Sequence, residues 1–412
     1  MLKKIAISDL TVDMYIAEII ASSNMPMPKK KRGMVRDSRI IDKFVEIGIE
    51  HVVIDTTKGL DKSDEDSKAR VNTQKQQLEH AIEDSLNELM KNTATHYQDL
   101  HLEWGSAKEI FQTSVSIINT SISAIKGGEI INPKHFDEAA KAISRSIMRN
   151  KDALTWLGKI RDTDNYLFEH SVNTSILMGV FAHAYGLNIK QIEQCITGAL
   201  LHDLGQAHVL EETFKHEGPL SEEEYKQVKT HVNHGVRIIS NEEGFQDIAM
   251  RIVQEHHERY DGSGYPNALK GDEISLFGRM FAIVDTYDAV TNNRIYKEAV
   301  PSSYGMRTLL ELSNSHFDES LVHVFIKSLG VYPTGSLVKL NNGFLAVVIA
   351  QNPESALKPL VKTVYNTLTS AFLEPRMLDL IKPNNDEKIV SYEDPRAFNI
   401  KIDEFMPDEM DF

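Results

Sequence analysis

Residues 113–332 are patterned as helix almost without a break, and the polar groups set into that pattern constrain the fold more than any other feature. Asn132 followed by Pro133 reads as an N-cap with a first-turn proline, and Ser221 with Glu224 as a capping box. Gly205 and Gly330 stand where helices should end. Into this scaffold are set EHSVN (169–173), LLHDLG (200–205), THVNHG (230–235), HHERYDG (256–262) and IVDTYDAV (283–290), each bringing a histidine or a carboxylate to a core-facing helix. His202 and Asp203 directly follow the apolar run Ala199-Leu200-Leu201, and Asp285 closes FAIVD. Such groups cost several kcal/mol to bury alone. They need partners, and a metal provides them.

The candidate ligands are His170, His202, Asp203, His231, His256, His257 and Asp285. Imidazole and carboxylate without thiolate suit a first-row divalent ion such as iron, manganese, nickel or zinc. Five histidines and two aspartates exceed what one tetrahedral ion needs, and they would fill two ions with a carboxylate between them. A metal pair suits phosphodiester hydrolysis, because it generates hydroxide near neutral pH and stabilises charge developing on the phosphate. His183, His208, His216, His234 and His316 read as ordinary hydrogen-bonded residues; His234, three positions after His231, is the nearest to joining the ligand set.

The flanks differ. Residues 1–60 carry β-branched runs, KKIAI, MYIAEII and HVVIDT, with a helix expected from Ser38 to Gly48: a small α+β module. PMPKKKRG within it reads as a basic loop. Residues 61–112 form a charged helical linker in which Leu78, Ile82, Leu86 and Leu89 make a seam, against a neighbouring helix or a second copy in a homodimer. Residues 333–412 hold a hairpin signal, SLVKL-NNG-FLAVVIA, and an acidic tail, DEFMPDEMDF. The expected fold is mainly α: a helical catalytic domain over 113–332, the N-terminal module, and a small β-containing C-terminal extension.

A formal net charge of −15 disfavours nucleic-acid polymers, whose non-specific binding depends on neutralised phosphates, but leaves room for a small phosphorylated ligand in a locally basic pocket. The one cysteine, Cys195, excludes an internal disulfide and a cysteine-based zinc site, and fits a reducing compartment. No run approaches 18 uninterrupted apolar residues and the N-terminus lacks signal-peptide features, so a soluble, cytoplasmic protein without membrane contact is expected.

The order H…HD…H…HH…D, with HHERYDGSGYP at 256–266 and DAVTNNRIYKEA at 288–299, resembles the HD-GYP domain, the cyclic-dinucleotide phosphodiesterase branch of the HD superfamily. The likeness runs from about Tyr166 to about Gly330, and the first 60 residues resemble the module that often precedes such domains. It implies that His170, His202, Asp203 and Asp285 hold one metal and that His231, His256 and His257 hold the second, with Asp203 bridging as the central catalytic carboxylate. It also implies that Gly264, Tyr265 and Pro266 shape the ligand pocket and that Arg294 and Lys297 reach ligand phosphates. Two departures stand out. Where many such domains read HDxGK, with the lysine on phosphate, this chain reads HDLGQ, leaving Gln206 uncharged. Where some members carry a third-metal glutamate, four residues before His170, this chain has Tyr166, so two metals are expected.

The resemblance implies hydrolysis of a 3′–5′ phosphodiester of cyclic di-GMP or 3′3′-cyclic GMP-AMP to a linear dinucleotide. One alternative is a signalling protein that binds the nucleotide without turnover. Another is an HD phosphohydrolase acting on guanosine tetraphosphate or deoxynucleotides, disfavoured by the GYP segment.

Overall fold

A computed structural model of the chain describes residues 2–12, 14–20, 32–35, 38–49, 51–56, 58–59, 65–92, 94–159, 166–209, 221–242, 244–291, 300–352, 354–383 and 386–405. The chain divides into two compact units, Met1–Ala81 and Ile82–Phe412. Helices predominate, with small β elements toward each end.

In the first unit, β1 (Leu2–Ala6), β2 (Tyr15–Ile20), β3 (Gly33–Met34) and β4 (His51–Asp55) form an antiparallel sheet in the order β1-β4-β2-β3. The alternation in β4 turns Val52 and Ile54 inward, against Phe44 of helix α1 (Ser38–Glu46) and Ile49 beyond it. The three β-branched runs are thus strands, and the short β3 is an edge strand that the sequence pattern does not signal. Most of PMPKKKRG lies outside the described residues.

Helix α2 (Glu65–Lys91) carries the expected seam only in part: Ile82, Leu86 and Leu89 are buried in the larger unit's core, whereas Leu78 is 44% exposed. The larger unit continues with α3 (Leu100–Lys126), α4 (Pro133–Leu157), α5 (Tyr166–Tyr185), α6 (Ile189–Leu201), a 3-10 turn at Leu204–His208, α7 (Glu222–Ser240), α8 (Asp247–Glu255), α9 (Leu276–Thr291), α10 (Ser302–Glu311) and α11 (Glu319–Leu329). The Asn132 side chain caps Lys134 N–H, and Ser221 and Glu224 cap each other reciprocally.

Helix α5 is buried from Glu169 to Ala182, so no face of it meets water. Its polar residues resolve this within the helix: Thr174 Oγ1 donates to the His170 carbonyl at 2.9 Å and Ser175 Oγ to the Val172 carbonyl at 2.6 Å. Around it α3 and α4 are cross-linked by a buried ion pair. Arg149 donates from Nε and Nη2 to Glu103 at 2.5 and 2.8 Å, and Ser146 adds a hydroxyl at 2.6 Å.

The C-terminal strands β5 (Leu337–Leu340), β6 (Phe344–Ala350), β7 (Leu360–Asn366), β8 (Ala371–Asp379) and β9 (Ile389–Tyr392) make an antiparallel sheet in the order β8-β7-β6-β5-β9. The expected Asn-Gly hairpin is the β5–β6 pair. The sheet docks on α4 by defined bonds: Trp156 Nε1 donates to the Ile349 carbonyl at 2.7 Å, and Asp152 accepts from Thr334 Oγ1 at 2.8 Å and Gln351 N–H at 2.7 Å. Residues 406–412 of the acidic tail lie outside the described residues.

Candidate metal centre

Four histidines reach the centre with their ring orientation already set. His170, on α5, places Nδ1 2.6 Å from Asp288 Oδ2. His202, at the C-cap of α6, places Nδ1 2.8 Å from the Ala199 carbonyl. His231, in α7, and His256, at the C-cap of α8, do the same with the Val228 and Val253 carbonyls at 2.7 and 2.9 Å. A carbonyl can only accept, so in His202, His231 and His256 Nδ1 donates and Nε2 is the ring nitrogen turned toward the centre.

These ring nitrogens converge. His231 Nε2 lies 3.1 Å from His256 Nε2. His202 Nε2 is buried without a hydrogen-bond partner and lies 3.2 Å from Asp203 Oδ2. Imidazole nitrogens and carboxylate oxygens gathered this closely can share a divalent cation. The donor set therefore fits divalent ions. Two clusters can each coordinate one: His170, His202 and Asp285 in the first, His231, His256 and His257 in the second, with ligand atoms inside each within 4.8 Å of one another.

Asp203 lies between the clusters. Its Oδ2 is 3.2 Å from His202 Nε2 and 3.9 Å from His170 Nε2, while its Oδ1 is 3.4 Å from His231 Nε2. Asp285 also spans them: Oδ1 is 3.2 Å from His170 Nε2 and Oδ2 is 3.9 Å from His257 Nδ1. Burial pushes both carboxyls up, but neighbouring imidazoles outweigh it. His202 foremost holds Asp203 well below the usual carboxylate range, and His170 foremost lowers Asp285. Burial and ring crowding push His256 well below its ordinary value, and burial foremost brings His257 down to about 4. Near neutral pH these carboxylates are ionised and these two rings neutral, the forms that bind metal.

Close backbone approaches set these positions. A Cβ on Gly205 would run into the His231 carbonyl and the Gly235 amide, so glycine lets the His202-Asp203 turn press against α7. Beyond His256 the chain leaves the helix and folds back: Tyr265 N–H donates to the His257 carbonyl at 3.1 Å, and a Cβ on Gly264 would strike the Glu258 backbone. Buried Glu258 braces this loop, accepting from the Asn267 and Leu269 amides at 2.7 and 3.0 Å. Tyr260 and Asp261 N–H donate to the His316 and Ser315 carbonyls. The Tyr265 ring lies 4.6 Å from the His257 ring, tilted by 32°.

All seven sequence-selected ligands thus meet in one centre. Gln206 sits in the turn just after Asp203, partly exposed, its N–H donating to the Asp203 carbonyl at 2.9 Å. Arg294 and Lys297 lie outside the described residues. His208 and His234 stack on each other, ring centroids 5.2 Å apart. Sequence reasoning missed Asp288, fully buried, which receives both His170 Nδ1 and Asn173 Nδ2. The signal was present: in IVDTYDAV a second aspartate follows Asp285 by three positions, one helical turn on.

Comparison with known proteins agrees with this geometry. A family model of the HD domain matches residues 159–321, and a model of a domain of unknown function, DUF3391, matches residues 2–136. A cyclic di-GMP phosphodiesterase of Pseudomonas aeruginosa is 28% identical over 402 residues, 97% of this chain and 94% of that protein. A 3′3′-cGAMP-specific phosphodiesterase of Vibrio cholerae is 33% identical over 147 residues, 35% of this chain and 28% of that protein. A cyclic di-GMP phosphodiesterase of Thermotoga maritima is 30% identical over 177 residues, 43% of this chain and 48% of that protein. Among the described residues no helix is long and apolar enough to cross a membrane.

Proposed function

The chain is an HD-domain protein of the HD-GYP type with an N-terminal DUF3391 module, and on that premise we propose that it is a phosphodiesterase of cyclic dinucleotides. It cleaves one 3′–5′ bond: water oxygen joins phosphorus, the bond to the 3′ oxygen breaks, and a linear dinucleotide with a 5′-phosphate and a 3′-hydroxyl leaves. The observation that carries this reading is the convergence of imidazole nitrogens and two ionised carboxylates into two adjoining clusters. When bound, two divalent ions (iron or manganese by preference, nickel or zinc as substitutes) supply Lewis acidity that activates water and offsets phosphate charge.

In this reading His170, His202, Asp203 and Asp285 hold one ion, and His231, His256 and His257 the other. Asp203 would serve both ions, as its two oxygens, one facing each cluster, support. Asp288 fixes the His170 ring so that Nε2 faces inward. Tyr265, whose ring lies against His257, would form a wall for the ligand, and the HD-GYP resemblance assigns Gln206, Arg294 and Lys297 to its phosphates. The chain divides into the module at 1–60, a helical linker at 61–112, the catalytic domain at 113–332 and an extension at 333–412. We place the reaction in the cytoplasm, where a chain with one buried cysteine needs no oxidising environment.

The relative aligned along nearly its whole length is named for cyclic di-GMP, and a relative matching a shorter segment for 3′3′-cGAMP. A substrate panel of cyclic di-GMP, cyclic di-AMP and the mixed dinucleotide, with manganese or ferrous iron, tests the proposal. Linear product from cyclic di-GMP or the mixed dinucleotide is expected. Tight binding with no product from fully metal-loaded protein would overturn catalysis in favour of a nucleotide-binding signalling role.

A further inference from the structure

Lys229 lies on α7 two residues before His231, half-buried. It leaves the helix on a different side from His231, so its reach is set by two tyrosines. Its ammonium stands 4.3 Å from the centroid of the Tyr225 ring and 5.2 Å from that of Tyr265. The rings meet edge to face, 6.4 Å apart at 80°, and the second lies against His257. One aromatic ring therefore separates this ammonium from the second metal cluster.

The surroundings make that placement informative. Helix α7 opens with Glu222, Glu223 and Glu224, and Lys226 pairs with Glu223. Lys229 has no carboxylate partner among the described residues, in a chain with 60 acidic and 45 basic side chains. Tyrosine faces attract an ammonium without neutralising it or consuming its N–H donors. The outcome is a positive charge with no carboxylate partner among the described residues, at the edge of a site whose turn offers a neutral Gln206.

We propose that Lys229 is a substrate-binding residue that donates to a phosphate of the dinucleotide, held in place by Tyr225 and Tyr265. The assignment rests on the phosphodiesterase reading and supplies the cation that HDLGQ lacks.

The test compares wild type with Lys229→Met and Lys229→Arg as metal-loaded full chains. Equilibrium binding and steady-state hydrolysis of cyclic di-GMP and the mixed dinucleotide are measured at low and high salt. Lys229→Met is expected to raise Kd and KM about tenfold, the size of one lost charge-assisted bond, and to flatten their salt dependence. Metal content and Tm should stay at wild-type values, and Lys229→Arg should recover most of the affinity. Unchanged Kd in Lys229→Met overturns the inference, as does an affinity loss accompanied by metal loss, which would make the residue structural. If wild type binds without turnover while Lys229→Met still weakens binding, the phosphodiesterase reading falls and the phosphate contact stands. Wild type that binds neither dinucleotide overturns both.

Discussion

One half of the metal centre is sealed from water, while the other opens at His257 beside a glycine-broken loop. His170 and His202 are 5% and 1% exposed in their side chains, and His170 is locked by Asp288, itself held by Asn173. In the second half His231 and His256 are as deeply buried, but His257 is 29% exposed and leans on Tyr265 of the loop. The contrast assigns the halves different work. The first is a rigid anchor whose geometry comes from core packing. The second is the face through which a ligand would enter, and its aromatic and cationic neighbours, Tyr265, Tyr225 and Lys229, are ligand-binding types rather than core types.

The contrast fails first at Asp203, where the halves join. Asp203→Ala is expected to empty both clusters and lower kcat by at least about a thousandfold, with elemental analysis reading less than one ion per chain. Full metal content in that variant would refute the bridge. A smaller change separates the halves: Asp288→Asn leaves the His170 side chain in place but removes the carboxylate that orients it. Metal affinity of the first cluster should fall about 10- to 100-fold while the second stays filled. Titration calorimetry with manganese would show one weakened and one unchanged site; equal weakening of both would mean the clusters are not independent. The smallest effect is expected at Gln206, on the exposed side of the HD turn. Gln206→Lys should keep or raise kcat/KM by up to about tenfold, since it adds a cation near the phosphates. A large loss instead would give Gln206 a selective role of its own, visible as a changed ratio between the two dinucleotides.

Much of this was legible before any coordinates. The helix caps at Asn132 and Ser221, the strands of the module and the Asn-Gly hairpin are local, and local chemistry decides them. His256 and His257 stand at a helix end, and Gly262, with a φ of 85°, lets the following loop turn. What the sequence leaves open depends on distant neighbours. Leu78 has the spacing of a buried seam yet is exposed, because periodicity names a face without saying how far its partner extends. Asp285 groups with His170 and His202, and only the fold brings its second oxygen to face His257, across 28 positions of sequence. Asp288 was passed over because a carboxylate one turn from a ligand is ordinary on a helix until burial beside His170 Nδ1 is seen.

By itself, then, the sequence determined which residue types could hold metal, and where helices and turns must stop to release them. That information is carried by side-chain chemistry and short-range backbone preference. The tertiary structure alone decided which ring nitrogens face each other, which carboxylate oxygen faces which cluster, and that Lys229 stands between two tyrosine rings beside the site. Those outcomes depend on helix contacts such as Gly205 against His231, where a clearance smaller than one methyl group fixes the whole arrangement.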